Sequence, residues 1–318
     1  MKRINFLVTN RCNLHCKMCD YRIISCFEKD LVFSDIKKVI DWAYENKVKK
    51  LEISGGEPMV RKDIYQIIHY AAVYDIYTIM MTNGVLIEKE QSEKFIYAGL
   101  NEVVISLEGT QEINDMIRGT GNFVKAINAV RYFQNCDENK IKIKIGITVS
   151  KFNYKSLFQF TKYLFENVMV DEISYNPFNC NMLIDTNINK TRTMFELLDD
   201  DLYVLEQELE KIMEYSKYNH YIISNYEYMK QFCRYFKKGS GFFINQNCDG
   251  QSELCCIDAK GNVIDCWGNY NILGNIKKQS LDNIIYTNTE RDNEKTVFRC
   301  KGCLSACYEN EYNFGGVK

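Results

Sequence analysis

Six short apolar segments alternate with longer amphipathic segments over the first 190 residues or so, and this alternation constrains the fold more than any other feature. Strands are predicted at residues 4–8, 50–53, 77–81, 102–107, 142–149 and 172–175. The intervening segments have helical spacing, as in Ile36, Val39, Ile40 and Ala43, with Ser34 placed to cap that helix. Repeated strand–helix units favour an α/β fold with a parallel sheet. Periodicity alone leaves open whether the sheet curls into a barrel.

Polar or glycine-containing segments follow the carboxyl ends of all six predicted strands, where parallel α/β folds bind ligands. They are residues 9–20, 54–58, 82–84, 106–109, 148–150 and 175–177. One such segment is ordinary for a loop. Six at one edge of a sheet indicate a site.

Three cysteines, Cys12, Cys16 and Cys19, lie after the first predicted strand in a C-x3-C-x2-C pattern. Each iron of a [4Fe–4S] cube needs one outside ligand, so three thiolates leave one iron open for a small molecule. Two other interpretations stay open at this point. The spacing also fits a buried stripe on a helix, and His15 is available as a fourth ligand for zinc.

The composition excludes several classes of protein. The 318 residues suffice for one large and one smaller domain, and the net charge of −2 is dispersed. Because no basic stripe, basic amphipathic helix or apolar run of about 18 residues is present, we expect no nucleic-acid partner and no membrane association. Residues 4–8 are too short for a signal-peptide core, which predicts a cytoplasmic protein. In that reducing compartment, 14 cysteines favour metal binding or catalysis over disulfides.

The last third of the chain has a different pattern. A helix is predicted over residues 193–217 and an irregular, aromatic bridge over residues 218–245, followed by a β-hairpin formed by residues 253–258 and 262–266. Further cysteines are Cys248, Cys266, Cys300, Cys303 and Cys307. Four thiolates make a closed site for zinc or for a fully ligated iron–sulfur cluster, and spacing does not choose between them. The predicted domains are residues 1–217, 218–245 (bridge) and 246–318.

The cysteine pattern, followed by Gly55, Gly56, Glu57 and Pro58 after the second strand, resembles the radical S-adenosylmethionine (SAM) superfamily. The similarity continues through residues 106–109 (SLEG) and 117–119 (IRG) and covers the first two-thirds of the chain. It implies a partial (β/α)6 TIM-like barrel. It also implies a SAM-binding [4Fe–4S] cluster on the three cysteines, with SAM on the open iron.

The resemblance assigns SAM-binding roles to particular residues. Glu57 and the backbone of Gly55 and Gly56 are expected at the amino group of SAM, and Arg118 at its carboxylate through charge-assisted hydrogen bonds. The remaining cofactor-binding candidates are Ser106 at a ribose hydroxyl, Met18 against the adenine, Thr148 and Tyr175 near the adenosine, and Pro58 and Asn83.

The C-terminal third resembles the SPASM/Twitch extensions of the same superfamily, through Cys248-x12-Gly261-x4-Cys266 and Cys300-x2-Cys303. Its final C-x2-C-x3-C spacing departs from a full SPASM domain and favours the Twitch type. The resemblance therefore implies a small β-hairpin/helix extension with a second, auxiliary [4Fe–4S] cluster on those four cysteines. Cys307 either replaces one of them or is a spare thiol.

The resemblance implies reductive cleavage of SAM to a 5′-deoxyadenosyl radical that abstracts hydrogen from a substrate carbon. An electron donor such as flavodoxin or ferredoxin is then an expected partner, and the barrel interior should be mostly apolar. Oxidation or crosslinking would send an electron to the auxiliary cluster, whereas epimerisation needs a thiol to return hydrogen. Cys180, Cys255 and Cys256 are the catalytic candidates, and at most one of the adjacent pair can face inward.

The substrate is the least determined feature. The first predicted strand begins at Ile4, which predicts no peptide-recognition domain before the barrel. Twitch-type relatives act on peptides, sugars or aminocyclitols, and we favour a ribosomally made peptide over a small-molecule substrate such as a sugar or aminocyclitol. A non-catalytic electron-transfer or scaffold protein that holds iron–sulfur clusters is the interpretation from a different class.

Overall fold

The structure is a computed structural model that describes residues 2–19, 29–136, 141–179, 194–239, 254–267, 270–285 and 304. Its strands form one sheet in the order β10-β9-β8-β1-β2-β3-β4-β5-β6-β7. Strands β1 to β10 span Arg3–Thr9, Lys50–Gly55, Tyr77–Thr82, Glu102–Ser106, Lys142–Val149, Glu172–Pro177, Ile222–Ile223, Leu254–Ile257, Asn262–Ile264 and Ile272–Asn275. All six predicted strands are therefore confirmed.

Strands β1 to β6 pair in sequence order and in parallel, and β7 and β8 extend the parallel set beyond β6 and β1. Because the sheet ends at β10 and β7 in the part of the chain described, the barrel is open. This confirms the partial-barrel prediction. Helices α1 to α8 span Phe33–Glu45, Ile64–Val73, Lys89–Ala98, Gln111–Arg118, Asn122–Gln134, Leu157–Tyr163, Asp199–Asn219 and Tyr226–Lys238.

The strands separate an apolar face from a polar one. Along β5, Ile143, Ile145, Ile147 and Val149 are buried and belong to the main core, which also contains the apolar sides of the helices. Burying one such side chain contributes roughly 1.5–3 kcal/mol. The alternate β5 residues 142, 144, 146 and 148 line the barrel interior. This two-residue period places the functional side chains inside the barrel.

Two helix predictions need correction. Helix α1 begins at Phe33 with Val32 at its N-cap position, so Ser34 lies inside the helix and does not cap it. The described part of the predicted bridge, residues 218–239, is not irregular, because it contains β7 and the 13-residue helix α8. The Asn225 side chain caps α8 by accepting hydrogen bonds from the backbone N–H groups of Glu227 and Tyr228. The aromatic residues Tyr228, Phe232 and Tyr235 are buried on one side of this helix.

The predicted C-terminal hairpin is present as the antiparallel pair β8 and β9, in which Cys256 lies opposite Ile264. Its turn contains Gly261 at φ 87°, a left-handed conformation that favours glycine. Strand β8 also pairs with β1, so the hairpin continues the barrel sheet. No helix within the described ranges is long and apolar enough to cross a membrane. The domain boundaries given above stay a prediction.

Candidate active site

The cysteine loop, residues 10–19, lies against the segment that follows β2. The N–H of Gly56 donates to the carbonyl of Thr9 and that of Glu57 to the carbonyl of Arg11, both at 2.8 Å. A Cβ atom on Gly55 or Gly56 would lie 2.2 Å from the carbonyl oxygen of Thr9 or Arg11, respectively. Only glycine permits this approach between two backbones. The two glycines, predicted at the SAM amino group, therefore also fix the position of the cysteine loop.

Two charged residues outside the sequence motifs hold the start of the loop. The Asp30 carboxylate accepts hydrogen bonds from Thr9 Oγ1 (2.8 Å), from Asn10 N (3.3 Å) and from Arg11 Nε (3.1 Å). Buried Arg61 donates to the carbonyl of Val8 at 2.8 Å. Sequence analysis missed both residues, because their partners lie 19 to 53 positions away along the chain.

Glu57 joins the ends of β2 and β3. Its carboxylate is 1% exposed and accepts hydrogen bonds from Met59 N (3.1 Å), Thr82 Oγ1 (2.8 Å) and Asn83 N (2.7 Å). Burial raises the pKa of Glu57 above its ordinary value, against these hydrogen bonds. Pro58 begins the short 3-10 helix Pro58–Val60. The Glu57 carboxylate is thus engaged by three protein donors.

Asn83 connects the end of β3 to the cysteine loop. Its Nδ2 donates to Asn13 Oδ1 at 2.8 Å and lies 4.0 Å from Cys12 Sγ. Its Oδ1 accepts from Val85 N at 2.9 Å, which fixes the orientation of the amide. Asn83 is therefore placed beside the first cysteine, as a cofactor-binding residue requires.

The three cysteines lie on an irregular loop, so the helix-stripe interpretation is wrong. The N–H of Leu14 donates to Cys12 Sγ (3.4 Å), and that of Cys19 to the carbonyl of Cys16 (3.2 Å). Burial raises the pKa of Cys12 and of Cys16. Lys17 N donates to the carbonyl of Ile117 at 2.9 Å, which holds the loop against the end of α4.

Zinc is the other interpretation of the loop. Among the residues that the structure describes, no three His, Cys, Asp or Glu side chains converge as ligands of one ion, and His15 is exposed. A mononuclear zinc site needs such convergence. The cysteine ligands of a [4Fe–4S] cube bind separate irons, so the loop fits the cluster better.

A buried ion pair stands beside the loop. Arg118 donates through Nε (3.0 Å) and Nη2 (2.5 Å) to Glu108 Oε1, while Glu108 Oε2 accepts from Thr148 N at 2.9 Å. The Glu108 side chain is wholly buried and that of Arg118 is 12% exposed. The guanidinium opposes the effect of burial on the pKa of Cys16. Arg118 thus lies between the cysteines and the cavity, as a ligand for the SAM carboxylate should.

The barrel encloses a cavity of about 440 Å³. Ser106, Arg118, Thr148 and Asn176 line it near the carboxyl ends of the strands, together with Asn179. Trp267 also lines the cavity, but it follows the antiparallel strand β9 and so lies near the opposite end. Apolar side chains such as Ile79, Met81 and Val104 line it as expected, but charged side chains line it as well, several of them in pairs. The pairs are Arg3 with Glu52, and Lys142 and Lys144 with Glu172. Pairing across neighbouring strands offsets the cost of removing these charges from water.

The structure does not bring Tyr175 to the cavity. Strand residues alternate between faces, so Ser174 and Asn176 line the interior while Tyr175 faces the helices. Its hydroxyl hydrogen-bonds Thr161 of α6 at 2.5 Å, and burial raises the pKa of Tyr175. Met18 packs against a small apolar cluster of Ile117, Phe178 and Phe195.

The adjacent cysteines of β8 face opposite sides. Cys255 pairs with Ile4 and belongs to the helix-facing core, where burial raises its pKa to about 12. Cys256 pairs with Asn5, which lines the cavity, and Trp267 packs on its cluster. Only Cys256 of the pair is on the inward face. Cys266 is half-buried, whereas Cys180, Cys248, Cys300, Cys303 and Cys307 lie outside the described residues.

Residues 6–160 match the model of the Radical SAM superfamily. Together with the cysteine loop and the parallel sheet, this match identifies the first half of the chain as a radical SAM domain. The family implies a [4Fe–4S] cluster and SAM as cofactors, and the loop, Arg118 and the cavity fit them. An auxiliary cluster is typical of the SPASM relatives.

Three curated relatives illustrate the range of the family. The chain is 34% identical over 151 residues to the Fe-coproporphyrin III synthase of Methanosarcina barkeri (47% of this chain, 37% of the relative). It is 32% identical over 142 residues to the mycofactocin maturase MftC of Mycolicibacterium smegmatis (44% of this chain, 36% of the relative). Both matches span little more than a third of the relatives' length. A 25% identity to the AdoMet-dependent heme synthase of M. barkeri extends over 314 residues, 93% of this chain and 86% of that protein.

The crystal structure of Streptococcus suis SuiB bound to precursor peptide SuiA has the same fold, with a TM-score of 0.70. The superposition covers 92% of this chain and 66% of the SuiB chain, at 17% sequence identity. The parallel sheet and its small antiparallel extension therefore have counterparts among solved structures.

Proposed function

We propose that this protein is a radical SAM enzyme that modifies a peptide. One observation carries the proposal: the cysteine loop, Arg118 and the polar strand ends meet at one end of a cavity inside the barrel. When bound, the [4Fe–4S] cluster and SAM supply a 5′-deoxyadenosyl radical that abstracts hydrogen from a substrate carbon. The likeness to a mycofactocin maturase and to a structure bound to a precursor peptide supports a peptide as substrate.

The residues of the chain would act by position. Cys12, Cys16 and Cys19 would ligate three irons from a loop that Gly55, Gly56 and Asp30 hold in place. Arg118, held by Glu108, would bind the carboxylate of SAM through charge-assisted hydrogen bonds. Ser106 and Thr148 would contact the nucleoside from the cavity wall. Glu57 would act from its buried position, by holding Asn83 beside Cys12.

The proposed reaction is epimerisation, oxidation or crosslinking of the peptide, and different residues would serve each. Epimerisation would use Cys256, because it is on the inward face whereas Cys255 faces the helices. Oxidation or crosslinking would use an auxiliary [4Fe–4S] cluster on Cys248, Cys266, Cys300 and Cys303, with flavodoxin or ferredoxin as the external electron donor. Deuterium uptake from D2O into the product, lost in Cys256→Ala and kept in Cys255→Ala, would distinguish epimerisation from the other two.

A porphyrin substrate is the second candidate. It is favoured by the match to a heme synthase, which extends over 93% of this chain. Incubation of the protein with iron coproporphyrin III, SAM and dithionite tests it. A change in the mass of the porphyrin would favour this candidate over a peptide.

The test of the enzyme class is formation of 5′-deoxyadenosine by anaerobically reconstituted protein with SAM and dithionite. We expect product from the wild type and from Cys233→Ala, a control thiol on α8 whose pKa burial raises to about 11. We expect none from Cys16→Ala, because the cube then loses a ligand. Absence of product from reconstituted wild type would favour an electron-transfer or scaffold protein.

A further inference from the structure

Two side chains of the barrel cavity, Ser174 and Asn5, each have a polar atom with no hydrogen-bond partner among the described residues. Ser174 on β6 is 5% exposed and lines the cavity, and within the described ranges its hydroxyl makes no hydrogen bond. Asn5 on β1 donates through Nδ2 to Glu52 Oε2 at 2.8 Å, but its buried Oδ1 accepts no hydrogen bond from the described residues. Buried polar groups in native proteins are nearly always paired, so a ligand is a natural partner for Asn5 Oδ1, and the Ser174 hydroxyl in the same cavity is available to it.

A glycine keeps the space beside Ser174 open. Ser106, Gly146 and Ser174 lie in register across β4, β5 and β6. A Cβ on Gly146 would lie 3.4 Å from Val104 Cγ1 and 3.9 Å from Ser174 Oγ, which are ordinary contact distances, and its φ is not positive. Neither packing nor backbone conformation requires glycine here. Glycine inside a strand is unfavourable and often marks the close approach of a ligand.

The charges of the cavity determine which ligand fits. The carboxylates of Glu52 and Glu172 are paired with Arg3 and with Lys142 and Lys144. A charged ligand would compete with these pairs. A neutral group that both donates and accepts hydrogen bonds would meet the unpaired atoms and leave the pairs intact. The peptide amide is such a group.

We propose that Ser174 and Asn5 form a subsite for uncharged amide groups of the substrate, in space that Gly146 leaves open. Ser174 Oγ donates to a substrate carbonyl, and Asn5 Oδ1 accepts from a substrate N–H. The subsite deepens the proposed function and rests on it, because it defines the substrate as a peptide held by its backbone or by a carboxamide side chain.

The test uses reconstituted full-length protein with SAM and without reductant, so no turnover occurs. Saturation-transfer NMR measures binding of the blocked residue N-acetylalanine N-methylamide, with acetate and methylammonium as charged probes. We expect saturable binding of the blocked residue, weakened about two- to tenfold in Ser174→Ala, the effect of one hydrogen bond. Gly146→Val should weaken binding more strongly, because its side chain fills the space.

Ser216→Ala is the matched control. Ser216 on α7 is also buried with an unpaired hydroxyl, but it does not line the cavity. Its loss should leave binding unchanged. Neither serine variant should melt below the wild-type Tm, because neither hydroxyl makes a hydrogen bond to a described residue that the alanine would lose.

Several results would overturn the subsite. They are absence of saturable amide binding, preference for a charged probe, equal effects of the two serine variants, or a lowered Tm in Ser174→Ala. Amide binding that occurs only when SAM is left out of the sample would assign these atoms to SAM. Because none of these measurements needs SAM cleavage, failure of the subsite is distinguishable from failure of the proposed function.

Discussion

The two ends of the barrel use carboxylates in different ways. At the mouth, where the strands end, Glu57 and Glu108 are 1% and 0% exposed, and each accepts a hydrogen bond from a backbone N–H of a neighbouring strand end. At the floor, the end of the barrel where the strands begin, Glu172 faces Lys142 and Lys144, which are 37% and 17% exposed. A carboxylate bonded to backbone fixes loops, whereas a carboxylate facing flexible ammonium groups only balances charge. The carboxylates at the mouth therefore fix the positions of the loops, whereas the carboxylate at the floor balances the charges of lysine side chains.

The largest effect should come from Gly56→Ala at the mouth. The new Cβ would overlap the carbonyl of Arg11, a backbone atom that moves only with the cysteine loop. We expect loss of most cluster iron after reconstitution and a stability cost of about 3 kcal/mol or more. Gly121→Ala is the control, because that glycine has a positive φ but no atom within 4 Å of an added Cβ. Equal iron contents in the two variants would refute the docking role of Gly56.

Glu108→Gln should rank second in its effect on the site, with a stability cost of similar size. It leaves the buried guanidinium of Arg118 without its counter-charge, and losing one member of a buried pair costs about 3–5 kcal/mol. Urea denaturation of the protein measures this cost, and equilibrium dialysis measures the accompanying loss of SAM affinity. A cost no greater than that of a floor variant would contradict the distinction between mouth and floor.

Much of the fold was accessible from sequence, because period-two and period-3.6 patterns report which side of an element is apolar. All six barrel strands and the terminal hairpin were found this way. The exceptions have physical causes. The pairing of β8 with β1 joins segments about 250 residues apart, and no local pattern encodes it.

Prediction of the site from sequence is limited in the same way, because contacts between distant residues leave no local pattern. The motifs predicted the cysteines, Asn83 and Arg118, which the structure brings close together, but Tyr175 lies one residue out of phase with the inward face. Asp30, Arg61 and Glu108 were missed as positioning residues, because their roles depend on partners distant in sequence. Ser174 was missed because an isolated serine in a strand carries no motif.

The pH dependence of stability should separate the two ends with opposite signs. Burial would raise the pKa of Glu172, but Lys144 and Lys142 outweigh it and the pKa is lowered. Its stabilising contribution is therefore present above the ordinary value of 4.5 and is lost as pH falls through the lower folded pKa. The deficit of Glu172→Gln, about 1–2 kcal/mol at neutral pH, should shrink in acid.

Glu57→Gln is the matched contrast. Because burial raises the pKa of Glu57, the ionised carboxylate is disfavoured in the folded state, and wild type should gain stability relative to this variant as pH falls toward 4.5. Denaturation of the apo protein across this range measures both differences. The same sign of change in the two variants would contradict the account.

The smallest effect should be that of Lys142→Met at the floor. The lysine is 37% exposed, and Lys144 still faces Glu172 when it is lost. We expect a change below about 1 kcal/mol in unfolding free energy. If the loss of unfolding free energy in Lys142→Met approached that of Glu108→Gln, the Lys142–Glu172 ion pair would stabilise the protein more than its exposure suggests.

The most direct test of the central claim is EPR spectroscopy of the dithionite-reduced, reconstituted protein with and without SAM. The account predicts a [4Fe–4S] signal that changes when SAM is added, and no such change in the variant with Cys12, Cys16 and Cys19 all replaced by alanine. A signal indifferent to SAM in the wild type, or a SAM response that survives in the triple variant, would contradict it.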